Sequence, residues 1–149
     1  MAARKRSKGK PTAFILDASI TLAWFFEDET DAYAEAVEDS LVSAVAFVPS
    51  LWHLEVANAL IAGERQKRTT EAKVTHFLTL LSRLPITVDE ETPARTWDDT
   101  LALARAHGLS TYDAAYLELA LRRGLPLATL DDPLRDALRA VGGVLYLTD

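Results

Sequence analysis

The sequence contains no cysteine. That excludes disulfide staples, zinc–thiolate centres and thiol nucleophiles, and it fits a reducing compartment. Long apolar runs are also missing, since none approaches the roughly 18 residues that cross a bilayer. The N-terminus has no apolar stretch of the secretory kind, so the expected location is the cytoplasm with no membrane partner. Low-complexity blocks, internal repeats and a linker to a second domain are absent too. What is present is ordinary for one globular domain: 149 residues, 49% hydrophobic and 26% charged, with six Gly and six Pro. That length supports a sizeable core.

The net charge of −6 is unevenly spread. The opening MAARKRSKGK holds five basic residues and no acid, which leaves 11 basic against 22 acidic residues in the remainder, a net of −11. Residues 1–12 therefore read as a flexible basic tail with almost nothing to bury, either a solvated terminus or a nucleic-acid tether. Residues 13–149 read as the folded domain. Its acidity argues against simple phosphate binding unless metal ions offset the carboxylates.

Length and β-branched content predict buried strands at AFILD (13–17), PLATLD (126–131) and VLYL (144–147), with AVAFVPS (44–50) and ITVD (86–89) as further candidates. Helical patterns lie between them: SITLAWFF (19–26) after a possible Ser19 cap, DAYAEAVEDSLV, 50–68, 70–84, 92–108, 110–124 and 132–143. Gly108 and Gly124 stand where helices end. Strands alternating with helices predict an α/β fold, a parallel sheet of about five strands flanked by helices on both faces. Such sheets bind ligands beyond the carboxyl ends of their strands.

Acids stand at those ends. Asp17 follows the first strand, and Asp131 follows PLATL with Thr129 two residues earlier. Asp113 opens the helix that starts near Ser110, and Glu55 opens the helix after FVPS. Carboxylates gathered at one rim either raise one another's pKa or hold cations, and an all-oxygen site suits Mg²⁺ or Mn²⁺. Ser19 and Thr129 could then orient carboxylates, metal-bound water or a phosphate oxygen. Each residue also has a plain structural reading. Ser19 is a good N-cap, Ser110 to Asp113 resembles a capping box, and Asp131-Asp132-Pro133 suits a helix start. Glu55 with Asn58 could face solvent, although the pair interrupts the apolar stretch LWHLEVANALIA. His53, His76 and His107 lack a motif and read as surface or packed residues. Trp24, Phe25 and Phe26 read as core or interface, and Arg122 with Arg123 as a solvated helix end.

Four segments together carry a resemblance: FILDAS, PSLWHLEVANAL, YDAAYLELA and the T-x-D of PLATLDD. In this order on a β/α pattern they resemble the PIN domain, and within it the VapC-type toxins of bacterial toxin–antitoxin pairs, from about residue 13 to 147. The resemblance implies metal-site acids at Asp17, Glu55, Asp113 and Asp131, with Ser19, Asn58 and Thr129 in support. Asp131 is preferred to its neighbour Asp132 because it completes T-x-D. The implied activity is Mg²⁺- or Mn²⁺-dependent endoribonucleolysis, in which water attacks the phosphodiester and leaves a 5′-phosphate and a 3′-hydroxyl. The implied partners are an RNA substrate, a cognate antitoxin and a second copy in a homodimer. Two other readings remain at this point. One is a catalytically inactive PIN-like module that binds RNA or protein. The other is a receiver-type phosphoacceptor, which expects an acidic pair after the first strand and a late strand-end lysine; here that strand ends D-A-S and no lysine follows Lys73.

Overall fold

The computed structural model describes residues 12–148. The basic stretch 1–11 lies outside them, and Thr12, placed in the tail by composition, opens the first strand. Strand β1 (Thr12–Leu16) is the hydrophobic run that precedes Asp17. Its Phe14, Ile15 and Leu16 are fully buried, as expected for a strand covered on both faces. It pairs in parallel with β2 (Ala44–Pro49) on one side and with the short β4 (Leu127–Ala128) on the other. Strand β3 (Ile86–Asp89) adds to β2, giving the order β3-β2-β1-β4, all parallel. The fifth expected strand is reduced to one parallel bridge between Leu145 and Leu127. The chain turns immediately afterwards, with Leu147 at φ 62° and the Thr148 N–H bonded to the Leu145 carbonyl, so no longer ladder forms. Tyr146 anchors this edge by stacking its ring on Phe14 at 3.9 Å.

The helices follow the expected order. They are α1 (Ala18–Phe25), α2 (Ala32–Ser40), α3 (Trp52–Arg65) and α4 (Glu71–Leu81). The segment expected as one helix over 92–108 is broken into α5 (Thr92–Arg95), a π-helical turn over Thr96–Thr100, and α6 (Leu101–His107). One threonine hydroxyl bonds the backbone at the break. Thr96 donates to the Thr92 carbonyl at 2.8 Å, a side-chain bond that competes with the helix ladder. Helices α7 (Thr111–Arg123) and α8 (Asp132–Ala140) complete the chain.

Helix α7 is the central one, with every residue from Ala114 to Ala120 buried. It ends at Gly124 and α6 ends at Gly108, both left-handed, where a side chain would strain the backbone. Burial makes the C-terminal end of α7 matter. Arg122 and Arg123, expected as a solvated helix end, instead converge on Asp89 at the end of β3. Arg122 donates two bonds of 3.0 Å to its carboxylate and Arg123 one of 2.7 Å. Arg122 also bonds Glu118 at 2.7 Å, and the Arg123 guanidinium lies over the Phe47 ring. Burial alone would raise the Asp89 pKa, but the two arginines outweigh it and hold the carboxyl down at about 2.

Candidate active site

The carboxyl edge of the sheet gathers the motif residues. Asp17 sits at the N-cap of α1, the position that local sequence offered to Ser19, and its side chain makes no cap bond. Its backbone N–H donates to the Ala128 carbonyl at 3.0 Å, which places it directly beside the end of β4. The carboxylate is 5% exposed and is held by two hydroxyls. Ser19 donates to its Oδ2 at 2.6 Å and Thr129 to the same oxygen at 2.7 Å.

Both hydroxyls also accept. The Leu130 N–H bonds Ser19 Oγ and the Asp131 N–H bonds Thr129 Oγ1, each at 3.0 Å. Each thus spends its one proton on Asp17 while a lone pair fixes the 129–131 turn. The D-x-S and T-x-D stretches, more than a hundred residues apart, form one hydrogen-bonded unit. Sequence reasoning named both hydroxyls, though not this wiring.

Asp131 caps α8, its Oδ2 accepting from the Leu134 N–H at 2.9 Å, while Asp132 is exposed in the first turn beyond it. Asp113 lies in the first turn of α7, where Ser110 accepts from its backbone N–H at 3.1 Å. The Ser110 hydroxyl also acts on the Asp113 carboxylate, lowering its pKa against burial and the neighbouring acids. Glu55 is partly buried on α3 and accepts from the Tyr116 hydroxyl at 2.5 Å. Asn58 is exposed, and no hydrogen bond of its side chain occurs among the described residues. The polar pair that interrupts LWHLEVANALIA therefore splits. The buried face of α3 is Trp52, Val56, Leu60 and Gly63, with Leu54 75% exposed, so Asn58 needs no buried partner.

Electrostatics show that the four acids share one neighbourhood. Burial raises the Asp17 pKa, the Ser19 and Thr129 hydroxyls oppose it, and the Asp131 charge adds to it. Burial likewise raises Glu55, against the Tyr116 hydrogen bond and with help from Asp17 and Asp113. Asp113 is pushed up to about 6, first by burial and then by the charges of Asp131 and Asp17. Among the described residues, no cationic side chain forms an ion pair with any of the four. An all-oxygen donor set of repelling, uncompensated carboxylates fits a hard divalent cation. It is an open set: among the described residues, no group of three His, Asp or Glu side chains stands as a ready-made cage. Mg²⁺ keeps several waters and commonly takes one or two carboxylates, so an open set still suits it.

The raised Asp113 has a measurable consequence without metal. A folded-state pKa above the unfolded one means that protonation favours folding. Stability in EDTA is expected to rise as pH falls through about 6 and to gain no more from this group below about 4. The gain is about 1 kcal/mol after allowance for partial exposure. Urea midpoints from pH 7.5 to 4.5 check it, and Asp113→Asn should flatten the slope. A wild-type midpoint that falls steadily over this range would contradict it.

The sequence pattern of the PIN domain matches residues 14–138, which spans all four acids. The chain belongs to the PIN-domain family. A curated relative, Ribonuclease VapC3 of Pyrobaculum aerophilum, is 30% identical over 127 residues, covering 85% of this chain and 95% of that protein. A crystal structure of a Pyrobaculum aerophilum protein matches with a TM-score of 0.64 and 26% identity, over 85% of this chain and 79% of the other. VapBC2 from Rickettsia felis, solved with a DNA fragment from its promoter, matches with a TM-score of 0.62 over 93% of this PIN chain and 100% of the other. At 17% identity that last likeness concerns the fold alone.

Two features of this PIN domain escaped sequence reasoning. One is Tyr116, inside the motif yet unassigned; its place three residues after Asp113, on the same helix face, was the available signal. The other is the Asp89–Arg122–Arg123 cluster, for which no local pattern gave a signal.

Proposed function

We propose that this PIN domain is a Mg²⁺- or Mn²⁺-dependent endoribonuclease and the toxin of a toxin–antitoxin pair. The observation that carries the proposal is the meeting of Asp17, Glu55, Asp113 and Asp131, from four separate segments, without a compensating cation among the described residues. Residues 14–138 match the PIN domain, and the curated relative is named a ribonuclease of the VapC type, which supports the choice of RNA.

Asp17, Asp113, Asp131 and Glu55 would hold the ion. A bound divalent cation supplies charge neutralisation at a phosphoryl group and activation of a water for in-line attack. The chain's own contribution is orientation. Ser19 and Thr129 both donate to Oδ2 of Asp17, and neither bonds its Oδ1. The two N–H bonds they accept fix the turn that carries Asp131. The carboxylates also repel RNA, so substrate approach depends on charge neutralisation at this edge.

An antitoxin and a second copy are the proposed protein partners. Support comes from apolar surface left open around α4: Leu78 and Leu80 are 43% and 47% exposed, and Leu80 lines a groove with Trp24, Phe25 and Phe77. Exposed apolar surface of this kind marks protein contacts. No helix among the described residues is long and apolar enough to cross a membrane.

Incubation of the purified protein with structured and unstructured RNAs tests the activity. Cleavage is expected with Mg²⁺ or Mn²⁺ and none in excess EDTA; undiminished cleavage in EDTA overturns the metal dependence. The open acidic set favours one competing reading, a PIN module that binds without cutting. Retained Mn²⁺ binding with no cleavage across a broad RNA panel would establish that reading instead. Growth arrest on induced expression, relieved by Asp113→Asn, addresses the toxin role.

A further inference from the structure

Tyr116 lies one turn beyond Asp113 on α7, on the side that faces the acids. It is fully buried, and its hydroxyl donates to Glu55 Oε1. Among the described residues this is the only side-chain hydrogen bond between α7 and α3. The second carboxylate oxygen, Oε2, takes no hydrogen bond among these residues. A glutamate side chain is flexible, and fixing it costs up to about 2 kcal/mol of rotamer entropy. A donor built into the rigid central helix meets that cost before any ligand arrives.

We propose that Tyr116 is a positioning residue for Glu55, fixing its rotamer and occupying Oε1 so that Oε2 is presented to the cation. The assignment rests on the cation-site reading given above. A competing account is that a buried tyrosine simply needs an acceptor, with Glu55 serving the tyrosine. The two accounts differ in what happens when Glu55 is gone. A positioning residue acts through Glu55 and has no effect without it, whereas a packing role persists.

The experiment is a double-mutant cycle on the full chain, with Mn²⁺ binding read by electron paramagnetic resonance of the free ion. Tyr116→Phe keeps the ring and its packing and removes only the hydroxyl. It is expected to weaken Mn²⁺ binding by roughly ten-fold in the wild-type background and to change nothing in the Glu55→Ala background. Unfolding midpoints in EDTA confirm that all four proteins are folded. Equal losses in both backgrounds, or no loss in either, overturn the assignment. A wild type that binds no Mn²⁺ overturns the cation site itself, and a wild type that binds it while Tyr116→Phe binds equally well overturns the tyrosine's role alone.

Discussion

Asp17→Asn is expected to lower the RNA-cleavage rate by about a hundred-fold or more without lowering the stability of the metal-free protein. The substitution keeps the shape of the side chain and an oxygen that can accept from Ser19 and Thr129. It removes a charge that burial and Asp131 both disfavour. Ionised, this carboxylate carries a cost to folding that a bound cation would offset. Two measurements therefore move apart. The unfolding temperature in EDTA should stay level or rise in the variant, while the upward shift produced by Mn²⁺ should shrink or vanish. Functional sites that trade stability for chemistry behave in this way. A variant that loses activity only because it melts far below the wild type would contradict this account.

Asp89→Asn should have the largest effect on stability and little direct effect on the chemistry. Asp89 is 2% exposed and receives bonds from two arginines, one of them largely buried, as well as the Glu91 N–H. Neutralising one partner of a buried ionic cluster costs about 3 kcal/mol, because the guanidinium groups lose their compensation. For a chain of this length that corresponds to a fall in Tm of roughly 10 °C. The pH dependence has a definite sign. The folded pKa of about 2 lies below the ordinary value of 3.8, so the contribution is complete above about pH 4 and is lost as pH falls through about 2. The gap between wild type and variant should therefore be widest at neutral pH and close toward pH 2. Urea denaturation at pH 7, 4 and 2.5 measures it, and equal stabilities at pH 7 would refute the assigned weight of this cluster. The trend opposes that of Asp113, so the metal-free wild type should be most stable in mildly acid solution.

Several features of the protein follow from its sequence alone. The alternation of buried strands with helices is local information, since burial and periodicity are written within each segment, and it yields a parallel α/β sheet with ligands at the carboxyl edge. Asp17 and Asp131 are legible because each directly follows an apolar strand, and Asp113 and Glu55 because each opens a helix. The four motifs in order are enough for the family.

Tertiary structure decided the rest. Ser19 looked like a helix cap; beside β4 its hydroxyl instead joins Asp17 to the 129–131 turn, 111 residues away from Leu130. Arg122 and Arg123 looked like a solvated helix end; only the path of α7 over the sheet brings them to Asp89, more than thirty residues distant. Asn58 and Glu55 read as a polar pair on one helix; Asn58 lies exposed, and Glu55 takes its hydrogen bond from a tyrosine 61 positions away. Local pattern reports which residues are polar at which end of which element. It does not report which donor meets which acceptor, because a hydrogen bond depends on a few tenths of an ångström between segments that the chain alone does not place.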